Sequence, residues 1–296
     1  MRFDGVPLNL GYQSPVPMID SHQHFWQYCP EDYDWISDEM AVIRRDFMPA
    51  DLRETAASLG VKGSVAVQAR QTLGESQWLL DLAAADDFIR GVVGWVPLAE
   101  PAVADDLAAL ASNPIFKGVR HVVQGESDPA FLVRPEFNAG IRAVTRQDLV
   151  YDILIMAPQL AASIDFVDRH PSQRFVLDHI AKPVIGADGP PSRWRDDITA
   201  LAHRPNVSCK FSGVVTEVAG ELWDAELLRP YWEIVLEAFG PDRLMFGSDW
   251  PVCLVRSEYD RWLEFVRTMA GKLSDTEQER VLGGTATDVY RLDVSV

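Results

Sequence analysis

The sequence MIDSHQHFW, residues 18–26, places an apolar pair and an acid directly before two histidines that are one residue apart. In a β-strand, side chains alternate between the two faces, so His22 and His24 would project to the same side. Two imidazoles that point to one place are typical of a shared metal ion or a shared substrate group. The alternative is a polar loop with two unrelated histidines, and the rest of the chain decides between the two interpretations.

Beyond this segment the chain repeats one unit, in which a short apolar stretch precedes a segment of helical length. A first helix is predicted to begin at Pro49 and to end before Gly60. Further strands are predicted at residues 61–67, 91–96, 116–123, 149–155, 174–180, 206–212 and 243–249. Helices are predicted after them at residues 75–88, 101–111, 135–146, 158–169, 194–202, 226–239, 258–270 and 275–281. With the strand that carries His22 and His24, eight strands alternate with helices.

This alternation predicts the fold class. Parallel strands joined by right-handed helical crossovers, eight times in 296 residues, predict an α/β protein of the (β/α)8 type, the TIM barrel, with residues 1–296 as a single domain. A doubly wound sheet is the competing fold. A glycine-rich turn after the first strand would favour it, and the chain has neither a G-x-G-x-x-G nor a G-x-x-x-x-G-K-[ST] motif.

The composition argues against several kinds of partner. The chain is 47% hydrophobic, enough for a large buried core, and its formal net charge is −17. So acidic a surface repels phosphate backbones and anionic lipid, and we expect no nucleic-acid or membrane partner. No apolar run reaches the about 18 residues of a membrane span, and the N-terminus lacks the apolar block of a secretory signal. The three cysteines are widely spaced, which predicts a reducing compartment and a cytoplasmic protein.

The position of each histidine relative to the predicted strands separates chemical from structural candidates. Active sites of (β/α)8 barrels form at the carboxyl ends of the strands. Four of the six histidines lie toward those ends: His22, His24, His121 and His179. The other two, His170 and His203, lie at turns that lead from a helix into a strand, so we expect them to be solvated loop residues on the opposite face.

Three acids lie near these histidines in the sequence. Asp249 ends the eighth predicted strand within FGSDWP, where glycine and proline constrain the backbone around one carboxylate. Asp178 adjoins His179, and because neighbours in a strand face opposite ways, we expect only one of the two to point inward. Asp20 precedes the histidine pair by two and is predicted to share its face, either as a ligand or as a buried carboxylate bonded to the backbone or to a histidine.

The motifs IDSHQHFW, VLDHIAKP and LMFGSDWPV together resemble the amidohydrolase superfamily, and more narrowly its sugar lactonases of the L-fuconolactonase and L-rhamnonolactonase type. The similarity spans essentially the whole chain. It implies a barrel in which His22 and His24 on the first strand, His179 on the sixth and Asp249 on the eighth meet at the mouth. It also implies a hydrolase that opens a sugar lactone to the sugar acid with an activated water.

The number of metal ions implied by the resemblance depends on which metal-binding residues of the superfamily the chain lacks. Binuclear members of the superfamily bridge two metals with a lysine or an acid on the fourth strand and add a histidine from the fifth. Here the fifth predicted strand has no histidine, and Lys117 lies at the beginning of the fourth. We therefore expect one divalent ion held by His22, His24 and Asp249, zinc before manganese or iron, or catalysis without a metal.

Two other functions stay open at this stage. Metal-dependent decarboxylases of the same superfamily resemble the chain, but they typically use the fifth-strand histidine that is missing here. A non-catalytic carbohydrate-binding barrel is the second alternative. Against it, His22, His24, His179 and Asp249 are more acid–base groups than sugar binding alone requires.

For lactone hydrolysis we predict catalytic roles for Asp249, His179 and His24. Asp249 would accept the proton of the attacking water, and His179 would orient that water or stabilise the oxyanion. His24 would hold, with His22, the metal that polarises the water or the carbonyl.

Sugar recognition needs donors, acceptors and a flat apolar surface. The candidates at the predicted strand ends are Gln68, Arg70, Trp95, Arg120, Lys182, Trp26 and Trp250. Of the neighbours Arg120 and His121, we expect Arg120 to face the pocket. The alternatives are a salt bridge on the barrel rim for each arginine, and packing under the long loop of residues 28–47 for Trp26.

Overall fold

The computed structural model describes residues 16–220 and 222–294 of the chain. It contains a sheet of eight parallel strands that follow one another in sequence order. The strands are β1 (Met18–Gln23), β2 (Val61–Val67), β3 (Ile89–Gly94), β4 (Phe116–Val122), β5 (Val150–Leu154), β6 (Arg174–Leu177), β7 (Val207–Phe211) and β8 (Leu244–Phe246). The predicted (β/α)8 barrel is confirmed.

Helices connect successive strands. They are α1 (Pro49–Ser58), α2 (Leu73–Ala85), α3 (Val103–Ala111), α4 (Pro135–Arg146), α5 (Leu160–Asp168), α6 (Ser192–Ala202), α7 (Ala225–Phe239) and α8 (Tyr259–Ala270), followed by α9 (Asp275–Glu279) and α10 (Thr285–Tyr290). Local sequence explains several of their starts. Pro49 occupies the first position of α1, and the side chains of Thr72 and Asp224 cap α2 and α7 by accepting a backbone N–H.

The first and last strands close the barrel through backbone hydrogen bonds just above β8. Asp249 N donates to His22 O at 2.8 Å, and His24 N donates to Trp250 O at 2.7 Å. Because of this closure, residues more than two hundred positions apart lie side by side at the mouth.

The barrel interior is filled with apolar side chains below the mouth, as in other barrels of this kind. They form one buried cluster of Ile19, Val65, Val67, Val93, Val150, Val176, Met245, Ala286, Tyr290 and Leu292. Ala286 and Tyr290 come from α10, and Leu292 is the second residue after its end. The C-terminal segment therefore closes the end of the barrel that is opposite the mouth.

Among the strands, the largest boundary errors fall at the carboxyl ends of β6 and β8. β6 ends at Leu177 and β8 at Phe246, each three residues before the predicted end. In both places the backbone enters the left-handed region soon after the strand, at His179 (φ 53°) and at Asp249 (φ 58°), which ends strand pairing.

No helix in the described part of the chain is long and apolar enough to cross a bilayer. The N-terminal segment 1–15, on which the prediction about secretory signals rests, lies outside the described residues. The assignment of residues 1–296 to one domain stays a prediction.

Candidate active site

Four side chains converge where β1, β6 and β8 end. Asp249 Oδ1 is 3.7 Å from His22 Nε2, 3.3 Å from His24 Nε2 and 3.9 Å from His179 Nε2. The Nε2 atoms of His22 and His24 are 3.2 Å apart. All four side chains are buried, and we call them the histidine–aspartate cluster.

The histidine–aspartate cluster has the donor atoms and the spacing of a metal site. His22, His179 and Asp249 each offer one ligand atom, and these atoms lie within 4.8 Å of one another. In a tetrahedral zinc site with bonds of about 2.0–2.1 Å, ligand atoms lie about 3.3 Å apart. The distances among His22, His24 and Asp249 are close to that value, so the predicted ligands also fit. The cluster could therefore hold a divalent ion, with His179 as an additional ligand that the predicted set omitted.

An unusual backbone turns two of these side chains toward the barrel axis. His179 and Asp249 both have left-handed φ angles, of 53° and 58°. Gly213, with a φ of 63°, packs against both of them. A Cβ atom on Gly213 would lie 2.5 Å from His179 Nδ1 and 2.7 Å from Asp249 Oδ2. Glycine is therefore the residue that leaves room for both side chains.

The prediction that only one of Asp178 and His179 points inward is wrong. β6 ends at Leu177, and Asp178–Ala181 form a turn in which the backbone becomes left-handed. Strand alternation thus stops before this pair. Asp178 Oδ1 lies 3.3 Å from His22 Nδ1, and the rings of His179 and His22 have centroids 4.4 Å apart. Both side chains reach His22.

Burial sets the protonation of the histidine–aspartate cluster. It lowers the pKa of His22, His24 and His179, the last to about 4. Burial alone would raise the pKa of Asp249, but the adjoining histidines hold it below its usual value. Near neutral pH, three neutral imidazoles therefore surround one ionised carboxylate.

Arg120 enters the site from β4. Its Nη1 lies 3.2 Å from His22 Nε2 and donates to Asp178 Oδ2 at 3.1 Å. Its Nη2 donates to Gln68 Oε1 at 3.0 Å and also to the Gln68 carbonyl. The structure places both predicted residues beside the histidines, and Gln68 orients Arg120. The ion pair of Arg120 is buried in the barrel and does not lie on its rim.

Two buried charges that the sequence analysis missed lie beneath His22. Lys210 on β7 and Asp152 on β5 have no exposed surface. Lys210 Nζ lies 2.5 Å from Asp152 Oδ2, 3.0 Å from Asp178 Oδ1 and 3.1 Å from His22 Nδ1. The sequence does contain a signal for this ion pair. Each of two otherwise apolar strands, VYDIL and VSCKF, contains one charged residue, and a buried charge needs an opposite charge nearby.

Comparison with known proteins identifies the family to which this arrangement belongs. The sequence profile of the family described as amidohydrolase matches residues 19–292, a range that contains the whole histidine–aspartate cluster. The chain belongs to the amidohydrolase family.

Similar sequences include two proteins from Burkholderia species. The L-fucono-1,5-lactonase of Burkholderia multivorans is 39% identical over 284 residues, which are 93% of this chain and 96% of that protein. The L-fucono-1,5-lactonase of Burkholderia ambifaria is 38% identical over 279 residues, with the same coverage. A crystal structure of an amidohydrolase from Burkholderia multivorans with bound zinc has a TM-score of 0.90 at 40% identity, and the match covers 94% of this chain and 100% of that one.

In this amidohydrolase, strands β4 and β5 do not supply the bridging ligands of a two-metal site. Lys117 lies at the start of β4, and its Nζ donates to Arg291 O at 2.9 Å, at the end of the barrel opposite the mouth. On β5, the Asp152 carboxylate accepts hydrogen bonds from Lys210 and from Tyr290 Oη. The geometry fits one ion at the histidine–aspartate cluster.

Two of the predicted sugar-binding tryptophans lie in the core of the amidohydrolase. Trp26 has no exposed surface, and its Nε1 donates to Arg45 O at 2.8 Å. Trp250 is 3% exposed and packs edge-on against Phe47. The assignment of Trp26 is corrected to its packing alternative, because side chains of the loop of residues 28–47 cover its ring. The ring of Trp250 is engaged in packing against Phe47 and Phe25.

The other two charged candidates lie at the rim. Arg70 Nη2 donates to Asp32 Oδ1 at 2.6 Å, and its guanidinium lies 5.5 Å from the ring centre of Tyr33, so it forms the rim salt bridge considered as an alternative. Lys182 Nζ lies 3.7 Å from Glu217 Oε1, and both side chains are partly exposed. This pair belongs to the turns that follow β6 and β7, so it lies at the mouth.

His121 and Trp95 lie together on the outer side of β4. His121 Nε2 is 2.7 Å from Glu126 Oε1, and its ring stacks on Phe131. Trp95 Nε1 donates to His121 Nδ1 at 3.4 Å. Both side chains are therefore engaged away from the histidine–aspartate cluster.

The histidines on the opposite face differ from each other. His203 is exposed, as expected. His170 is not solvated as predicted, because its side chain packs between helices and its Nε2 lies 2.7 Å from Asn138 Oδ1. Burial lowers the pKa of His170 to about 4, so it is a neutral structural histidine.

Asp20 is a buried structural carboxylate. It accepts hydrogen bonds from Ser248 N at 2.8 Å, from His22 N at 3.2 Å and from Tyr259 Oη at 3.1 Å. The prediction that it shares the face of the histidine pair is wrong. Its neighbour Ile19 occupies the barrel interior, and the register of β1 against β2 shifts after Asp20, so alternation is broken there.

Proposed function

We propose that this amidohydrolase hydrolyses a sugar lactone, an aldonolactone such as L-fucono-1,5-lactone, to the sugar acid. The observation that carries this proposal is the convergence of the Asp249 carboxylate with His22, His24 and His179 at the barrel mouth, at 3.7, 3.3 and 3.9 Å. The two relatives named L-fucono-1,5-lactonase support the choice of substrate, since each aligns with 93% of this chain.

Asp249 is the general base of the proposed reaction. Hydrolysis joins a water oxygen to the carbonyl carbon and breaks the bond from that carbon to the ring oxygen. Asp249 takes a proton from the attacking water and then delivers it to the departing ring oxygen. General acid–base assistance of this kind contributes about two to four powers of ten in rate.

His179 faces Asp249 across the place where the water would sit. The 3.9 Å between His179 Nε2 and Asp249 Oδ1 is too long for a direct hydrogen bond and suits one oxygen atom that contacts both groups. His179 therefore orients the water or donates to the carbonyl oxygen as charge develops there. His24, 3.3 Å from Asp249 Oδ1, borders the same place.

We also propose that His22, His24 and Asp249 hold one divalent ion, with His179 beside it and zinc as the first candidate. When bound, such an ion supplies polarisation of the carbonyl or of the water. The zinc-bound amidohydrolase structure at 40% identity supports this metal.

We propose that the hydroxyl groups of the sugar bind at the mouth of the barrel. Lys182 and Glu217 offer a donor and an acceptor 3.7 Å apart, a spacing that hydroxyl groups of a sugar ring can bridge. Arg120 reaches the cluster from below and donates toward polar substrate atoms. A small-molecule partner and a cytoplasmic location stay predictions from the sequence.

The test is a pH-drop assay on a panel of aldono-1,5- and aldono-1,4-lactones, with enzyme-free rates subtracted. Wild type is expected to hydrolyse at least one lactone, and Asp249→Asn is expected to lower kcat by about 10³-fold, because the amide cannot accept the water's proton. Asp188→Asn is the matched control, since Asp188 is an exposed acid on the loop that follows β6.

Each further arm of the assay decides one alternative. Turnover lost with chelator and restored by zinc supports the metal assignment, and turnover that chelator leaves unchanged removes the metal from the reaction. Carbon dioxide release from aromatic acids would replace the lactonase proposal by a decarboxylase. Lactone binding without turnover under any condition would replace it by a carbohydrate-binding barrel.

A further inference from the structure

A cavity lined by arginines lies at the end of the barrel opposite the mouth. Helices α4 and α5 end there, and the turns that follow them lead into the starts of β5 and β6. The cavity has a volume of about 410 Å³ and is lined by Arg142, Arg146 and Arg169 together with the turn of residues 170–173. We call it the arginine pocket.

The positive charges of the arginine pocket are not neutralised by the protein. None of its three arginines forms an ion pair or a guanidinium hydrogen bond with another residue of the ranges 16–220 and 222–294. The acids nearest to them in the sequence pair with other residues, Asp148 with Arg174 and Asp168 with Arg204. Two of the arginines lie close enough to His170 to lower its pKa, after burial as the larger cause.

Helix stability does not account for this group of cations. The negative end of the helix dipole favours Arg146, in the last turn of α4, and Arg169, directly after α5. Arg142 lies one turn earlier and four residues from Arg146, a spacing at which like charges on a helix repel each other. The chain has 44 acids against 27 lysines and arginines, so three clustered arginines without an acid partner call for an anion from outside.

The floor of the arginine pocket is buried and held by hydrogen bonds. His170 is 6% exposed, and its Nε2 lies 2.7 Å from Asn138 Oδ1. Gln173 is 1% exposed, donates to Leu149 O at 2.9 Å and accepts from Thr145 Oγ1 at 2.8 Å. A ligand would therefore meet a preformed surface below it and exposed guanidinium groups around it.

The size and charge of the arginine pocket suit a small molecule that carries a phosphate group. Guanidinium groups bind phosphate oxygens through paired N–H donors. A phosphate monoester has a charge of about −1.5 to −2 at neutral pH, which matches several cations better than a single carboxylate does. Small-molecule sites typically have volumes of about 300–1,000 Å³, and the 410 Å³ of this cavity lies in that range.

We propose that the arginine pocket is a second ligand site, which binds a small phosphate-bearing anion. Arg142, Arg146 and Arg169 surround the phosphate group, and the turn of residues 170–173 lies beneath it. The pocket and the histidine–aspartate cluster lie at opposite ends of the barrel, so this site does not depend on the proposed lactone hydrolysis. Because the anion joins α4 to the turn after α5, its binding stabilises the folded state.

The test is isothermal titration calorimetry of wild type with inorganic phosphate and with glucose 6-phosphate, at constant ionic strength in chloride buffer. A Kd of about 1 mM or lower is expected for at least one of them. Equal affinity would show that the phosphate group alone is bound, and tighter binding of glucose 6-phosphate would show that the rest of the cavity is used. Both results support the proposal.

Variants locate the binding. Arg142→Ala and Arg169→Ala are each expected to raise Kd about tenfold or more, because each removes a charged donor. Both residues are exposed and alanine is a good helix former, so the variants are expected to fold, with circular dichroism as the check. Arg195→Ala, which removes an exposed arginine of α6, is the matched control and should leave Kd unchanged.

Thermal unfolding gives a second measurement. The better anion at ten times its Kd is expected to raise the Tm of wild type by about 3 °C, and to raise that of Arg142→Ala/Arg169→Ala by less than about 1 °C. Absence of binding for both anions overturns the proposal, as does equal affinity in wild type and in the two single variants. An equal rise in Tm with sodium chloride at the same ionic strength also overturns it, since general screening would then explain the effect.

Discussion

The active site depends directly on the absence of a side chain at Gly213. Its φ of 63° is strained for residues with a Cβ, and a Cβ atom there would overlap both His179 and Asp249. The histidine–aspartate cluster is therefore sensitive to one methyl group at a position that takes no part in the chemistry.

Gly213→Ala is expected to lower kcat by about 10²-fold while the protein stays folded, because His179 or Asp249 must move by an ångström or so to make room. The measurement is steady-state hydrolysis of the best lactone together with circular dichroism. Gly186→Ala is the matched control, since Gly186 lies on the loop after β6 with no atom within 4 Å of its would-be Cβ. Equal kcat in the two variants would show that the contacts of Gly213 do not constrain the site.

At the scale of single residues, the sequence predicted the right side chains and some wrong orientations. His22, His24, His179 and Asp249 were recognised from motifs and from their places at strand ends. Strand alternation failed for Asp178, because the chain leaves the β region there. Side chains alternate between two faces only while the backbone φ and ψ angles stay in the β region. The sequence alone does not show at which non-glycine residue the backbone becomes left-handed.

At the scale of elements, the turn between β2 and α2 supports the site through a buried acid. Glu75, in the first turn of α2, accepts hydrogen bonds from Ala69 N and from Arg70 N at 2.8 Å. These contacts hold the residues that directly follow Gln68, the partner of Arg120. Burial raises the pKa of Glu75 from 4.5 to about 7, although the two backbone bonds oppose the shift.

Glu75 should make folding stability pH-dependent. Its pKa is higher in the folded state than in the unfolded chain, so the folded state binds more protons between about pH 4.5 and pH 7, and stability falls as pH rises through that window. A shift from 4.5 to about 7 corresponds to about 3 kcal/mol. Relative to wild type, the unfolding free energy of Glu75→Gln is therefore expected to increase as the pH rises from about 5 to about 7.5.

Urea unfolding at several pH values measures this difference. Comparison with wild type at each pH cancels the contributions of Asp178 and Asp249, whose pKa values are shifted downward. Glu54→Gln, an exposed acid on α1, serves as the control. A difference that stays constant across the pH range would mean that Glu75 does not titrate there.

At the scale of the whole molecule, the C-terminal helix reaches the charges beneath the active site. Tyr290 in α10 is buried, and its hydroxyl donates to the Asp152 carboxylate at 2.8 Å. Asp152 in turn contacts Lys210, and Lys210 contacts His22. The last helix therefore fills one end of the barrel and supports the site at the other.

Tyr290→Phe is expected to destabilise the protein by about 1–3 kcal/mol, because the buried Asp152 carboxylate loses a donor. The measurement is the midpoint of urea unfolding at neutral pH. Tyr28→Phe removes the same hydroxyl from a half-buried tyrosine on the β1–α1 loop and should change the midpoint little. Indistinguishable midpoints for the two variants would show that Tyr290 contributes packing alone.

The sequence by itself determined the alternation of strands and helices, and with it the barrel and the end of the barrel that carries the chemistry. Those features depend on local periodicity and on residues near in the chain, which a single sequence displays. Only the tertiary structure decided that Lys210 of β7, Asp152 of β5 and Asp178 after β6 meet under His22, and that Trp26 and Trp250 are buried. Such contacts join residues far apart in the chain, and their partners are set by the stagger and closure of the barrel, which no local pattern encodes.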